Sequence, residues 1–156
     1  MQSESTPTSS TEPAPTQTSP PSTPSPVVAL PRIAGFKWAL VHVKTATLSF
    51  APTPPYPFDT PELQFMTDGK YDGSDGLNGH SGDYSMTPTG FTTSNDGVTF
   101  LDYAGHDQHQ VAIQSSYGAI FNTSAVTVTS DGPTMIVLSV PGYALTFRKN
   151  GAATNA

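Results

Sequence analysis

The sequence predicts a mainly β (α+β) fold: a small antiparallel curved sheet or barrel of about eight strands, with one α-helix inserted between its two halves. Three observations carry this prediction. Short apolar-alternating segments recur from Phe36 to Arg148, punctuated by turn dipeptides such as Asp68-Gly69, Asp131-Gly132 and Pro141-Gly142. One stretch, Asp107 to Phe121, drops that alternation for helical spacing and contains no turn dipeptide. Ser, Thr and Pro fill twenty of the first twenty-six positions, so of 156 residues only about 125 remain to fold, which is one domain with one core.

Residues 1–30 read as a disordered Ser/Thr/Pro-rich tether. They offer almost nothing apolar to offset an ordering cost of roughly 1 to 2 kcal/mol per residue. Their prolines favour extended polyproline II geometry, and their hydroxyls suit O-glycosylation, as in stalks that hold an exported domain away from a surface. Residues 31–150 form the barrel domain and 151–156 a disordered C-terminus.

Within the domain, Lys37, Ala39, Val41 and Val43 alternate with Trp38, Leu40 and His42, which predicts a strand with Trp38 as core anchor; Thr45 to Phe50 continues it or pairs with it. Ala51 to Pro61 carries five prolines, each removing a ladder donor, and must be a loop. Leu63 and Phe65 share a face, Asp68-Gly69 turns the chain, and Lys70 to Asp72 returns. A Gly/Asp-rich loop from Gly73 to Gly82 comes next. Tyr84 to Thr87, Phe91 to Ser94 and Val98 to Leu101 read as short strands, the last two joined by a turn at Asn95-Asp96-Gly97. In the helix, Val111, Ile113, Tyr117, Ile120 and Phe121 supply the apolar face, and Asp107 with Gln110 resembles a capping box. Gly118 weakens that helix by about 1 kcal/mol relative to Ala, which calls for close strand packing or a bend there. Ser124 to Thr129, Thr134 to Val140 and Tyr143 to Arg148 complete the sheet as a meander.

Charge and composition narrow the function classes. A net charge of −6 with six Lys plus Arg is poorly suited to tracking phosphates, so no nucleic-acid partner is expected. No apolar run approaches the roughly 20 residues of a membrane helix. With no Cys, the chain has no disulfide, thiolate metal site or cysteine nucleophile. Met1 leads directly into Gln2, Ser3 and Glu4 without a basic or apolar segment, so the expectation is of a chain trimmed of an export signal.

The segment Gly76-Leu77-Asn78-Gly79-His80-Ser81-Gly82-Asp83-Tyr84 resembles the signature of the META/HslJ-like domain, usually Gly-Cys-Asn, two residues, then x-Gly-x-Tyr. The order around it agrees: Trp38, a strand pair at Leu63 to Tyr71, the Gly/Asn loop, Thr99 on a strand, a helix, and a closing meander. The resemblance spans about Phe36 to Lys149. It makes Gly76, Leu77, Asn78, Gly82, Tyr84 and Thr99 structural motif residues. It implies a small β-rich barrel with a helix, found in bacterial envelope proteins and lipoproteins, linked to stress and drug tolerance, without an established catalytic activity. Where the family often carries two cysteines, Leu77 takes the first position and Tyr103 falls near the second, so burial of Leu77 against Tyr103 is the expected substitute for a bridge.

Other constellations are weaker. His106, Asp107 and His109 are the nearest thing to a metal motif, with His80 as a further imidazole, but Asp107 reads first as a helix cap. Asp68, Asp72, Asp75 and Asp83 suggest calcium, yet the EF-hand rhythm fails and turn chemistry accounts for them. No Gly-x-Ser-x-Gly elbow is present, and Glu62 is the one Glu of the folded part, so neither triad nor paired-Glu chemistry is signalled. Tyr56, Phe58, Tyr71, Tyr84, Phe91, Phe100 and Tyr103 exceed the needs of one small core, leaving some free to line a groove or mouth. The reading is therefore a non-catalytic exported or surface-tethered META-like module, monomeric and without cofactor, acting in envelope stress or on a protein or cell-envelope partner. Its membrane contact would run only through a lipid anchor absent from this chain. The alternatives are a barrel for apolar small molecules and an inhibitor of a host or competitor enzyme.

Overall fold

In the computed structural model of the chain, the residues described are 3, 4, 7, 9, 11–21, 29–101, 107–123 and 125–154. Nine strands and a helix follow in order: β1 (Phe36–Thr45), β2 (Ser49–Phe50), β3 (Glu62–Phe65), β4 (Lys70–Ser74), β5 (Gly79–Met86), β6 (Gly90–Val98), α1 (Gln108–Phe121), β7 (Val126–Ser130), β8 (Met135–Val140) and β9 (Tyr143–Ala152). Each strand from β3 to β9 pairs antiparallel with the next. β1 then pairs with both β3 and β9, which closes an eight-stranded barrel, and β2 is an extra short strand on the far end of β1. Closure leaves none of the eight with a long unpaired edge.

The core follows from strand periodicity, with one phase change. Trp38 and Leu40 point inward, but the next inward residue is Val43, not His42, because a bulge between Leu40 and His42 inserts a residue against β9. The uniform alternation expected through His42 is thus broken at that bulge. Phe65, Phe91, Ile136, Leu138, Leu145 and Phe147 fill the interior together with Trp38, whose indole N–H donates to Ile33 O at 3.1 Å. Burying each such side chain contributes about 1.5–3 kcal/mol relative to exposure.

Three further segments differ from expectation. β6 is one continuous strand, not two joined by a turn: Asn95, at φ 53°, takes up a bulge opposite Gly82, and pairing resumes at Gly97. Residues that tolerate positive φ serve a bulge as well as a turn, which is why the local signal misleads. The loop expected over Gly73 to Gly82 shrinks to the Asp75–Asn78 turn between β4 and β5. The C-terminal boundary moves too, since β9 runs through Ala152, Ala153 N–H bonds to Gly35 O, and Thr154 bonds to Gln64. Residues 11–21 of the tail are exposed and carry no regular structure.

Helix α1 is capped as the sequence predicts, by the Asp107 carboxylate accepting the His109 N–H at 2.9 Å. Gln110 does not complete a capping box; its amide is spent on Asp75, described below. Val111 is exposed, while Ile113, Tyr117, Ile120 and Phe121 are buried. Tyr117 touches Phe147 of β9 and His80 of β5 and donates to Glu62 O of β3, so α1 lies across one opening of the barrel.

Candidate functional site

The turn between β4 and β5 is organised by one carboxylate. Asp75 is 2% exposed. Its Oδ1 accepts the N–H groups of Leu77 (2.9 Å) and Asn78 (2.7 Å), and its Oδ2 lies 2.9 Å from His80 Nε2. From α1, the buried Gln110 amide donates to Asp75 O at 3.0 Å. Gly76 sits at φ 97°, where a side chain is strained. The result is a buried aspartate that fixes both the turn and the orientation of an imidazole. The His80 ring lies between Tyr117 and Phe121, with centroids at 5.3 and 5.7 Å.

His80 forms part of the wall of an open pocket of about 290 Å³ at the covered mouth of the barrel. One side is aromatic: Tyr71 stacks on Phe121 at 4.6 Å and 9°, and Phe100, 90% exposed, stands at the rim beside Val98. The other side is polar, with Asp75 and Asn78 from the turn, His80 from β5, Asp96 from β6, Gln114 from the helix and Asn122 from its C-cap. Tyr71 donates to Asp96 Oδ1 at 2.5 Å, and the Thr93 hydroxyl lies 3.0 Å from Asp96 Oδ2. Burial, then the bond to Asp96 and the charges of Asp96 and Asp83, push the Tyr71 phenol well above its ordinary range. Tyr117 is raised by burial first and by the nearby charges of Asp75 and Glu62 second. Both phenols therefore act as neutral donors.

The motif residues cluster around this turn. Leu77 is 5% exposed and Asn78 8% exposed, and Asn78 Oδ1 accepts the Leu101 N–H at 2.7 Å. A Cβ at Gly82 would come within 2.8 Å of Tyr71 Cε1 and 2.9 Å of Ser94 O, so the Tyr71 ring occupies space that only glycine leaves. Tyr84 anchors the barrel by donating to Met66 O at 2.6 Å, and Thr99 Oγ1 accepts the Gly79 N–H at 2.9 Å. Tyr103, the expected neighbour of Leu77, lies outside the described residues.

Among the described residues the metal candidates do not converge. His106 lies outside the described residues, Asp107 caps α1, and the exposed His109 stacks on Phe50 at 4.1 Å, whereas His80 faces Asp75. Among the described residues no group of three metal-ligating side chains is found. The aspartates of the suspected calcium set have separate duties: Asp68 receives the Lys70 N–H, Asp83 receives the Asn95 amide, and Asp75 holds its own turn. Sequence reasoning missed the Asp75–His80 pair, which meets across one turn, and the Tyr71–Asp96 pair and the pocket, which join residues from separate elements. The one readable hint was Gly118, an unexplained glycine in a helix.

Fold and site together define a class: a closed eight-stranded antiparallel barrel with a helix across one mouth and a polar-aromatic pocket beneath it. Two solved structures share this fold. An NMR structure of a protein from Burkholderia xenovorans superposes with a TM-score of 0.55 at 19% identity, over 83% of this chain and 98% of that one. A second protein solved by NMR gives a TM-score of 0.54 at 14% identity, over 73% of this chain and 88% of its own. No protein-family model matches the sequence, and no curated protein matches it.

Proposed function

We propose that this chain is a non-catalytic META/HslJ-like binding module that works outside the cytoplasm, held from the cell surface by its Ser/Thr/Pro tail and lipoprotein-like in its full form. In this reading it recognises a cell-envelope component or partner and belongs to an envelope stress response. The observation that carries the binding role is the mouth pocket: Phe100 and Val98 stand exposed at its rim while Asp75, Asn78 and His80 are already fixed inside it. Preset polar groups beside apolar surface are what recognition sites share. The Gly76–Tyr84 signature supports the family, and the exposed tail supports the tether. The barrel interior is filled by its own side chains, which favours recognition at the mouth over carriage of an apolar cargo inside.

Location and binding are tested separately. On intact cells producing the native gene, a membrane-impermeant amine-reactive label should modify the protein, and a wholly cytoplasmic pool would overturn the reading. For binding, amide chemical shifts of the full chain are followed against purified envelope fractions, including peptidoglycan fragments and anionic lipid vesicles. Shifts centred on Gly97, Gln114, Gly118 and Asn122 are expected. Shifts centred elsewhere, or chemical turnover of a fraction, would refute it.

A further inference from the structure

We propose that the mouth pocket is a site for a small organic cation, an ammonium or guanidinium head carried on a short apolar or aromatic stem. This rests on the reading of the pocket as the recognition site and goes on to name the ligand chemistry.

The first argument is that space is kept open at a cost to the helix. Gly118 lies inside α1, without the positive φ that would require glycine, and among the described residues no atom beyond its chain neighbours and its own helix backbone comes within 4 Å of where its Cβ would be. Helical glycine costs about 1 kcal/mol relative to Ala. Neither close packing nor a backbone requirement explains it, and Gly118 lines the pocket. Any longer side chain there would grow into the cavity.

The second argument is charge. Asp75 and Asp96 both line the pocket, no Lys or Arg among the described residues does, and Asp75 is hydrogen-bonded to the His80 imidazole. Asp96 is held by two hydroxyls, from Tyr71 and Thr93, which position its carboxylate without neutralising it. A cation entering the pocket meets a fixed anion that needs no reorganisation to receive it.

The third argument concerns His80, which is 6% exposed. In a neutral imidazole, donation from Nε2 to the Asp75 carboxylate leaves the Nδ1 lone pair as an acceptor. Nδ1 has no partner among the described residues, and an ammonium N–H is the complementary donor. The exposed Phe100 supplies a face for the stem and for cation–π attraction, and the buried Tyr71–Phe121 stack forms the apolar wall behind it. At about 290 Å³ the pocket sits at the lower end of the roughly 300–1,000 Å³ range of small-molecule sites, which matches a compact amine.

The test uses the full chain and three probes of nearly equal shape: phenethylamine, 2-phenylethanol and phenylacetate. Chemical-shift titration should show phenethylamine perturbing the Gly97, Gln114, Gly118 and Asn122 amides, with affinity at least tenfold above the alcohol and the carboxylate. Asp96→Asn should weaken it about tenfold. Gly118→Leu, which removes a helix-weakening residue and fills the cavity, should abolish binding while the spectrum stays folded. Equal binding of the alcohol would overturn the cation and leave the pocket as a recognition site. Phenethylamine binding unchanged by Gly118→Leu would overturn the site itself. If none of the three probes moves these amides while an envelope fraction does, the cation proposal fails and the binding role survives; if nothing moves them, both fail.

Discussion

Replacing Asp75 with Ala removes three hydrogen bonds from a residue with almost no solvent access: Leu77 N–H at 2.9 Å, Asn78 N–H at 2.7 Å and His80 Nε2 at 2.9 Å. Hydrogen bonds to a charged partner are each worth about 1.5–3 kcal/mol, which would sum to roughly 4.5–9 kcal/mol if they were independent. They are not independent, because the same turn can relax to let water reach several donors at once. The cost of orphaning one member of a buried pair, about 3–5 kcal/mol, is the better guide, and we expect about 4 kcal/mol. Asp75→Asn keeps an acceptor for the two turn amides and loses mainly the charged contact to His80, so it should cost about half as much. Urea unfolding followed by the fluorescence of Trp38, the single and fully buried tryptophan, measures both. A double-mutant cycle with His80→Phe should give a coupling of about 1–3 kcal/mol. An Asp75→Ala loss below about 1 kcal/mol, or equal losses for Ala and Asn, would refute the claim that this carboxylate organises the turn.

Leu77→Ala should cost about 2–5 kcal/mol through lost burial and a cavity, read from the same unfolding curves. Gly118→Ala should instead raise stability by about 1 kcal/mol, since nothing among the described residues opposes the added methyl, and a loss would mean that the space is needed for packing. Gly90→Ala should be the most damaging glycine substitution: its Cβ would meet the Val126 carbonyl where β6 and β7 pair, and a loss of about 3 kcal/mol or more with disturbed β7 amides is expected. Tyr71, Tyr84 and Tyr117 all have phenols raised by burial. Their folded values lie above the unfolded one, so their contribution is intact below about pH 10 and falls as pH rises beyond it, when the unfolded chain gives up protons that the folded chain retains. Urea midpoints measured across that range should fall as tyrosinate absorbance appears, and a flat profile would count against their burial.

The strands and the helix were legible because their signals are local. Turn dipeptides bound the meander, and Asp107 stands where the cap is needed. The bulge in β1 was hidden because a residue inserted against β9 leaves no mark on β1 itself beyond a change of phase at His42 and Val43. In β6 the same physics worked in reverse, since Asn95-Asp96-Gly97 carries a turn signal that is spent on a bulge. Turn chemistry is seen at Asp68 and Asp75, whose carboxylates accept backbone N–H groups two or three residues on. It could not show that Asp75 would meet an imidazole five positions on and a glutamine thirty-five positions on. The pocket was illegible for a related reason, because its walls come from β4, the following turn, β5, β6 and α1.

Barrel closure through β1 and β9 has a mechanical consequence. Their register sets Phe36 opposite Ala152, so the end of the seam where the tail enters is also the end where β9 finishes. A pull applied between these two points does not slide the strands past one another. It parts them from one end, loading the cross-links one after another like a zip, and this is the geometry of least resistance for a paired ribbon. Tension between the tail and the C-terminal end would therefore open the barrel at low force, along the one seam that joins the first strand to the last.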